Sequence, residues 1–223
     1  MFYRLGIALL RSLSAVPFLA RALDAFGRIW QRHRKLRAHL RTLNFDGVID
    51  GGANVGEFAA IVRAALPKAD LICVEPHPAS AAILRKDGYK VVEAALWKET
   101  TRLHLHQPTA RSTSCTVLGE TAPNDGAATL EVAAVRLDSL AISGSRLLIK
   151  LDLQGAEPIA LEGMGAFWQR CAGILLEVSI GAGGTYESLR AMLSQHGFEE
   201  YSTTNELTAD GRVVEADKLW LRR

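Results

Sequence analysis

From residue 46 onward, short apolar runs alternate with segments whose apolar residues recur at helical spacing. Val48–Ile49 reads as a strand ending at Asp50 and a glycine turn. Glu57–Leu66 follows as a helix stopped by Pro67. Leu71–Val74 predicts a second strand, closed by Glu75-Pro76-His77-Pro78, and Ala79–Lys86 a helix ended by Asp87-Gly88. Val91–Val92 begins a third strand and Leu103–His106 a fourth. Leu147–Leu151 is a buried strand with a helix after it from about Glu157. Gly173–Val178 is a further strand, Thr185–His196 a helix stopped at Gly197, and Val213–Val214 with Lys218–Leu221 a closing antiparallel hairpin. Strands alternating with helices predict an α/β fold with a mostly parallel, doubly wound sheet and ligands at the carboxyl ends of its strands.

The first 43 residues follow a different pattern. Leu5, Leu9, Leu13 and Val16 recur at helical spacing with Arg4 and Arg11 on the opposite face. Pro17 suits the first turn of a second helix running to about Leu43, with Leu23, Phe26 and Trp30 across from Arg21, Arg28, Arg32 and Lys35. Charge sharpens this division. Residues 1–41 carry nine Lys/Arg against Asp24 alone, a formal +8; the remaining 17 basic and 23 acidic residues give −6. The expected organisation is a basic amphipathic helical arm over 1–43 and one α/β domain over 44–223. The arm fits packing on its own domain, contact with a second subunit in a homo-dimer, or an anionic membrane surface. Nucleic acid is not expected, because aromatic residues are not interleaved with the basic ones. The apolar stretch Leu5–Leu10 is too short for a signal peptide.

Composition sets outer bounds. With 48% apolar and 22% charged residues among 223, the chain can bury a globular core. The longest runs free of Lys, Arg, Asp and Glu are nine residues, well short of the roughly twenty a membrane-spanning helix needs. Cys73, Cys115 and Cys171 form neither a CxxC pair nor an even set, so a reducing, cytoplasmic setting with buried thiols is the default, peripheral membrane contact through the arm included.

The segment richest in chemistry is Val48-Ile-Asp-Gly-Gly-Ala-Asn-Val-Gly-Glu-Phe58. Gly51 and Gly52 allow a tight turn and close approach of a ligand to the backbone, and Gly56 lets the helix pack near the strand. Glu75 ends the next strand 25 residues after Asp50. Two carboxylates at adjacent strand ends suit a nucleoside, with Glu75 accepting from both ribose hydroxyls. A dinucleotide site wants Gly-x-Gly-x-x-Gly facing a pyrophosphate, but Ala53 occupies the middle glycine and Asp50 repels a pyrophosphate. A cationic ligand such as S-adenosylmethionine fits better.

At these residues the chain resembles the FkbM family of S-adenosylmethionine-dependent methyltransferases, over roughly 46–222. The glycine segment Asp50–Glu57 resembles its first motif, Cys73–Pro78 its Glu-Pro motif, and Glu93-Ala-Ala-Leu-Trp97 its third strand end. Val135–Leu140 resembles the Leu-Asp segment before the fourth core strand. Ile149–Glu157 resembles the Lys-x-Asp-x-Glu-Gly-x-Glu block, and Leu175–Val178 the strand after it. Gln154 departs from the pattern, standing where the family usually carries Glu. The resemblance implies a class I methyltransferase, Rossmann-like sheet and methyl transfer to a hydroxyl oxygen of a sugar, glycolipid or other small-molecule acceptor. It also implies S-adenosylmethionine as cofactor, with Asp50, Gly51, Gly52, Ala53, Asn54, Gly56 and Glu57 from the first motif, Glu75 and Pro76 at the ribose, and Ala95 by the adenine.

Lys150, Asp152 and Glu157 are the candidate catalytic residues. Lys150 and Asp152 are two apart on one strand, so their side chains share a direction at its carboxyl end. Asp152 can orient an acceptor hydroxyl or take its proton while Lys150 fixes the carboxylate; a structural Lys–carboxylate pair is the alternative. Asp152, Glu157 and Glu177 have no spacing that fixes a metal site, and no metal is expected. His104 and His106 alternate on a strand, and Arg111–Cys115 forms a polar loop near the acceptor side or a mere connection. A non-catalytic binding or scaffolding partner that kept the fold is the rival reading.

Overall fold

A computed structural model describes residues 34–106, 116–119, 129–181 and 183–223. Expectations for the arm before Arg34 and for the loop Arg111–Cys115 lie outside the described residues. The elements, in chain order, are α1 (Arg34–Leu43), β1 (Gly47–Gly51), α2 (Glu57–Ala65), β2 (Asp70–Val74), α3 (Pro78–Lys86), β3 (Lys90–Val92), β4 (Ala95–Leu96), β5 (Thr101–His106), β6 (Thr116–Gly119) and β7 (Thr129–Val135). There follow β8 (Leu147–Leu151), α4 (Glu157–Glu162), α5 (Phe167–Arg170), β9 (Cys171–Ser179), α6 (Tyr186–Gln195), β10 (Phe198–Ala209) and β11 (Arg212–Arg222).

Seven strands form the main sheet in the order β10-β11-β9-β8-β1-β2-β3. Strands β9, β8, β1, β2 and β3 run parallel, and β11 pairs antiparallel with both β9 and β10. The two faces follow the two-residue period of the strands. Ile49, Ile149, Leu151, Ile174 and Leu176 pack against α4, α5 and α6, with Leu161, Phe167, Leu189 and Leu193 opposite them. Val48, Leu148, Leu175 and Leu219 pack on the other face against α2 (Phe58, Ile61, Val62) and α1 (Leu36, Leu40). The polar residues Asp50 and Lys150 continue this second face at the carboxyl end.

Three features narrow or correct the expectation. Leu36 and Leu40 are 2% and 0% exposed, so α1, the described end of the basic arm, packs on the domain core, one of the arrangements the arm allowed. Each such leucine contributes about 1.5–3 kcal/mol by burial. Second, β5 does not join the main sheet. It lies in a separate four-stranded sheet, β4-β7-β5-β6, with a small core of Leu103, Leu105, Val132 and Ala134. Third, the hairpin is far longer than its apolar residues suggested, because β10 is a mostly exposed edge strand and turns at Asp210-Gly211, both at positive φ. No described helix is long and apolar enough to cross a membrane.

Candidate functional site

The glycine segment after β1 is a tight turn tied to its neighbours. Gly52 and Ala53 donate their N–H groups to the Val74 carbonyl at 3.0 and 3.2 Å, and Gly56 donates to Ala53 at 2.8 Å. Gly52 has φ +68°, and a Cβ there would sit 2.0 Å from the Asp152 carbonyl oxygen. Only glycine fits between the two strand ends. Gly56, at φ +90°, forms the N-cap of α2, so its part is conformational.

Glu75 leaves the end of β2 and is 5% exposed. Its Oε2 accepts from the Asn54 N–H and its Oε1 from the His77 N–H, both at 2.8 Å. Burial pushes its pKa above the usual carboxylate range, opposed by those two backbone bonds. Each oxygen retains further acceptor capacity for a ligand.

At the end of β8, Lys150 is the hub. Register places it opposite Asp50, and its ammonium lies 3.2 Å from Asp50 Oδ1 and 3.5 Å from Asp152 Oδ2. It also donates to the carbonyls of Gly51 and Gly52, at 3.2 and 3.1 Å. Burial pulls this ammonium down, but Asp50 and Asp152 more than offset that and hold it charged. Lys150 therefore locks the glycine turn to β8.

Glu157 is 1% exposed and turns into its own loop, accepting from Leu153 at 2.6 Å and from Gly155 at 3.1 Å. It shapes the loop and reaches neither cavity described below. Gln154, by contrast, donates through Nε2 to Asp152 Oδ1 and Glu177 Oε2, both at 3.1 Å.

Two cavities of ≈ 200 Å³ each meet at Gly52, Asn54 and Asp152. The first is walled by Glu75, Pro76, Ala94, Ala95, Leu96, Leu105 and Leu153. The second is walled by Leu36, Ala53, Glu57, Phe58, Lys150, Glu177, Asn205 and Asp217. Ala95, Pro76 and Glu75 thus line one cavity together, whereas Ala53 and Glu57 face the second. Asp50, expected at the methionine end, is fully buried and reaches neither cavity, because its carboxylate is engaged by Lys150. Gly51 backs the turn, where a Cβ would meet Leu96 and Leu151. Leu105 lines the first cavity, while His104 and His106, on the alternate face of β5, line neither.

Sequence reasoning left Glu177 as a metal candidate only, and missed Asn205 and Asp217. An acid ending an apolar strand, the signal that marked Asp50 and Glu75, was present at Glu177. Asp217 pairs opposite Glu177 only through the antiparallel register of β11, which no local pattern reveals. Among the described residues, no three His, Cys, Asp or Glu side chains converge as a metal cage. Cys73 and Cys171 are buried, and burial pushes both thiols up to about 12.

A parallel sheet with this strand order, a glycine turn after β1, an acid after β2 and a cavity at the strand ends define a class I methyltransferase. The fold likeness extends to solved structures. Magnesium protoporphyrin IX methyltransferase from Synechocystis PCC 6803, with bound S-adenosylmethionine, has TM-score 0.50 and 11% identity, covering 96% of this chain and 97% of that one. Precorrin-6y C5,15-methyltransferase from Geobacter metallireducens GS-15 has TM-score 0.48 and 13% identity, covering 85% and 88%. No curated protein matches. The methyltransferase FkbM domain model matches residues 50–200, and the chain belongs to that family. It is a methyltransferase whose cofactor is S-adenosylmethionine.

Proposed function

We propose that the protein methylates a hydroxyl oxygen of a small polyhydroxylated acceptor, such as a sugar or glycolipid. The observation that carries this reading is the pair of cavities meeting at Asp152, one nucleoside-like and one lined by hydrogen-bond acceptors. The first fits adenosine: Glu75, preset by Asn54 and His77, accepts from ribose hydroxyls, and Ala94, Ala95, Leu96 and Leu105 offer a flat apolar wall. Gly52 and Asn54 take the methionine end, where the turn leaves no room for a side chain. When bound, S-adenosylmethionine supplies a methyl group made electrophilic by its positive sulfur.

The second cavity presents Glu57, Asp152, Glu177 and Asp217, while Lys150, the one cation among its described lining residues, is engaged by Asp50. Such a wall asks its ligand for hydrogen-bond donors, which hydroxyls provide. A phosphodiester backbone offers none and is repelled. Asp152 stands where the cavities meet, and we assign it the acceptor's proton. A positioned base of this kind contributes roughly 10²–10⁴ in rate. Glu157 and Lys150 act by holding the loop and the turn.

Titration calorimetry on wild type and Glu75→Ala tests the cofactor side. Wild type is expected to bind S-adenosylmethionine and its demethylated product, with affinity at least about tenfold weaker in the variant. Tighter binding of NAD overturns the reading. Extracts screened with methyl-labelled cofactor then identify the acceptor, and Asp152→Asn should lower turnover about 10²-fold or more at little cost in cofactor affinity. Unchanged turnover would reduce Asp152 to a structural part.

A further inference from the structure

Glu177 lies beyond the motifs of the cofactor side, yet its carboxylate is built into the wall beside Asp152. Strand register is the reason. Lys150 sits opposite Leu175, and Asp217 opposite Glu177, so Asp152, Glu177 and Asp217 follow one another across the same face. Adjacent carboxylates repel unless a hydrogen-bond donor or a proton lies between them. Gln154 supplies the donor. Its carboxamide has two N–H hydrogens, and its nitrogen lies 3.1 Å from an oxygen of each acid. To reach this place Gln154 adopts φ +55°, a left-handed backbone that glutamine seldom takes, and Gly155 follows at φ +99°.

Resting on the methyl-transfer reading above, we propose that Glu177 and Gln154 are positioning residues for Asp152. The three form a carboxylate–amide–carboxylate clamp that keeps one proton between the two acids and holds the Asp152 carboxylate toward the acceptor. In the transfer, the acceptor O–H bond breaks and its proton joins Asp152. The oxygen keeps that electron pair for its new bond to carbon, and the carbon–sulfur pair stays on sulfur. The clamp then releases its surplus proton to water.

The surroundings support a proton on Glu177 at neutral pH. Burial pushes its carboxyl up to about 8, and Asp152, Glu215 and Asp217 push the same way. Among the described residues, the groups facing it are Lys150 from β8 and Asp152 just after it, Asp217 and Glu215 from β11, Asn205 from β10 and Glu57 from α2. Lys150, the one cation among them, is engaged by Asp50.

The test needs no acceptor. In the full chain labelled with ¹³C at Asp and Glu carboxyls, side-chain resonances are followed by NMR from about pH 5 to 10. A Glu177 resonance is expected to titrate around pH 8 and to vanish in Glu177→Gln, with the Asp152 resonance moving in the same step. Removing the amide in Gln154→Leu should raise that midpoint by about half a pH unit or more, because the anions lose their common donor. Should Glu177→Gln fold poorly, Glu177→Asp supplies the assignment instead. A Glu177 resonance titrating in the ordinary carboxylate range, or one moving without Asp152, overturns the clamp. Failure of cofactor binding with the coupled titration intact would instead overturn the methyl-transfer reading, and with it the clamp's role in transfer, while the shared proton itself would stand.

Discussion

Lys150 shows how one side chain can be chemistry-bearing in sequence and structural in place. Its ammonium touches two carboxylates and two backbone carbonyls, all belonging to the turn and strand ends that frame the cavities. Replacing it with methionine leaves Asp50 wholly buried and without its counter-ion. Losing one partner of such a pair costs about 3–5 kcal/mol, whereas neutralising both is often tolerated. Urea denaturation should therefore show Lys150→Met far less stable than wild type, with Asp50→Asn in the same chain recovering part of the loss. A double variant weaker than Lys150→Met alone would refute this pairing. Such distinctions are invisible in sequence. The Lys-x-Asp spacing announces a polar strand end, but not whether its lysine faces inward to Asp50 or outward to a ligand. The same holds for Glu157, whose backbone partners within its own loop exist only once the chain turns after Asp152.

At the scale of elements, the parallel βα units were legible because their buried strands are continuous apolar runs bounded by turns: Val48–Ile49, Leu71–Val74, Leu147–Leu151 and Gly173–Val178 all lie in strands of the main sheet. The smaller sheet was not. Its strand β7 alternates buried Val132 and Ala134 with exposed Glu131 and Ala133, a half-buried pattern diluted by small residues. Strand β10 carries Ser, Thr, Asn and Glu at most positions and reads as loop; its pairing with β11 makes it a strand. Helix α1 falls within a helix expected to about Leu43, but its place of packing is left open by the sequence. Its basic exposed face dominates the composition, and amphipathicity alone does not say whether the two leucines on its inner face meet this domain, a second subunit or a membrane. They are anchors, packed against Phe45, Val48, Ile61 and Leu219. Leu40→Ala should then cost about 2–5 kcal/mol in denaturant unfolding, as a buried cavity does. A loss below about 0.5 kcal/mol would mean that α1 is only loosely laid on the sheet.

For the whole molecule, the division of charge has a geometric consequence. The formal +8 of residues 1–41 and −6 of the remainder are joined by α1, which buries Leu36 and Leu40 in the domain and keeps Arg34, Lys35 and Arg41 exposed. A basic face is thereby fixed to the α2 side of the sheet, beside the second cavity that Leu36 lines. We propose an anionic membrane surface as the partner of this charge, with a second subunit as the alternative; a lipid-linked glycan is then an acceptor such a surface would deliver. Each basic residue near an anionic bilayer contributes on the order of 1 kcal/mol before screening. Replacing Arg34, Lys35 and Arg41 together with glutamine should thus weaken binding to phosphatidylserine vesicles about a hundredfold. Wild type should also detach as salt rises from about 0.1 to 0.5 M, because the Debye length shrinks to a few ångströms. Vesicle sedimentation and solution mass, measured on the same samples, decide the matter. Salt-sensitive binding at constant mass supports the membrane role. A dimer that persists in high salt, with no vesicle binding in either protein, assigns the basic face to subunit assembly instead. Equal binding to uncharged vesicles would show that apolar insertion, and not charge, is the attraction.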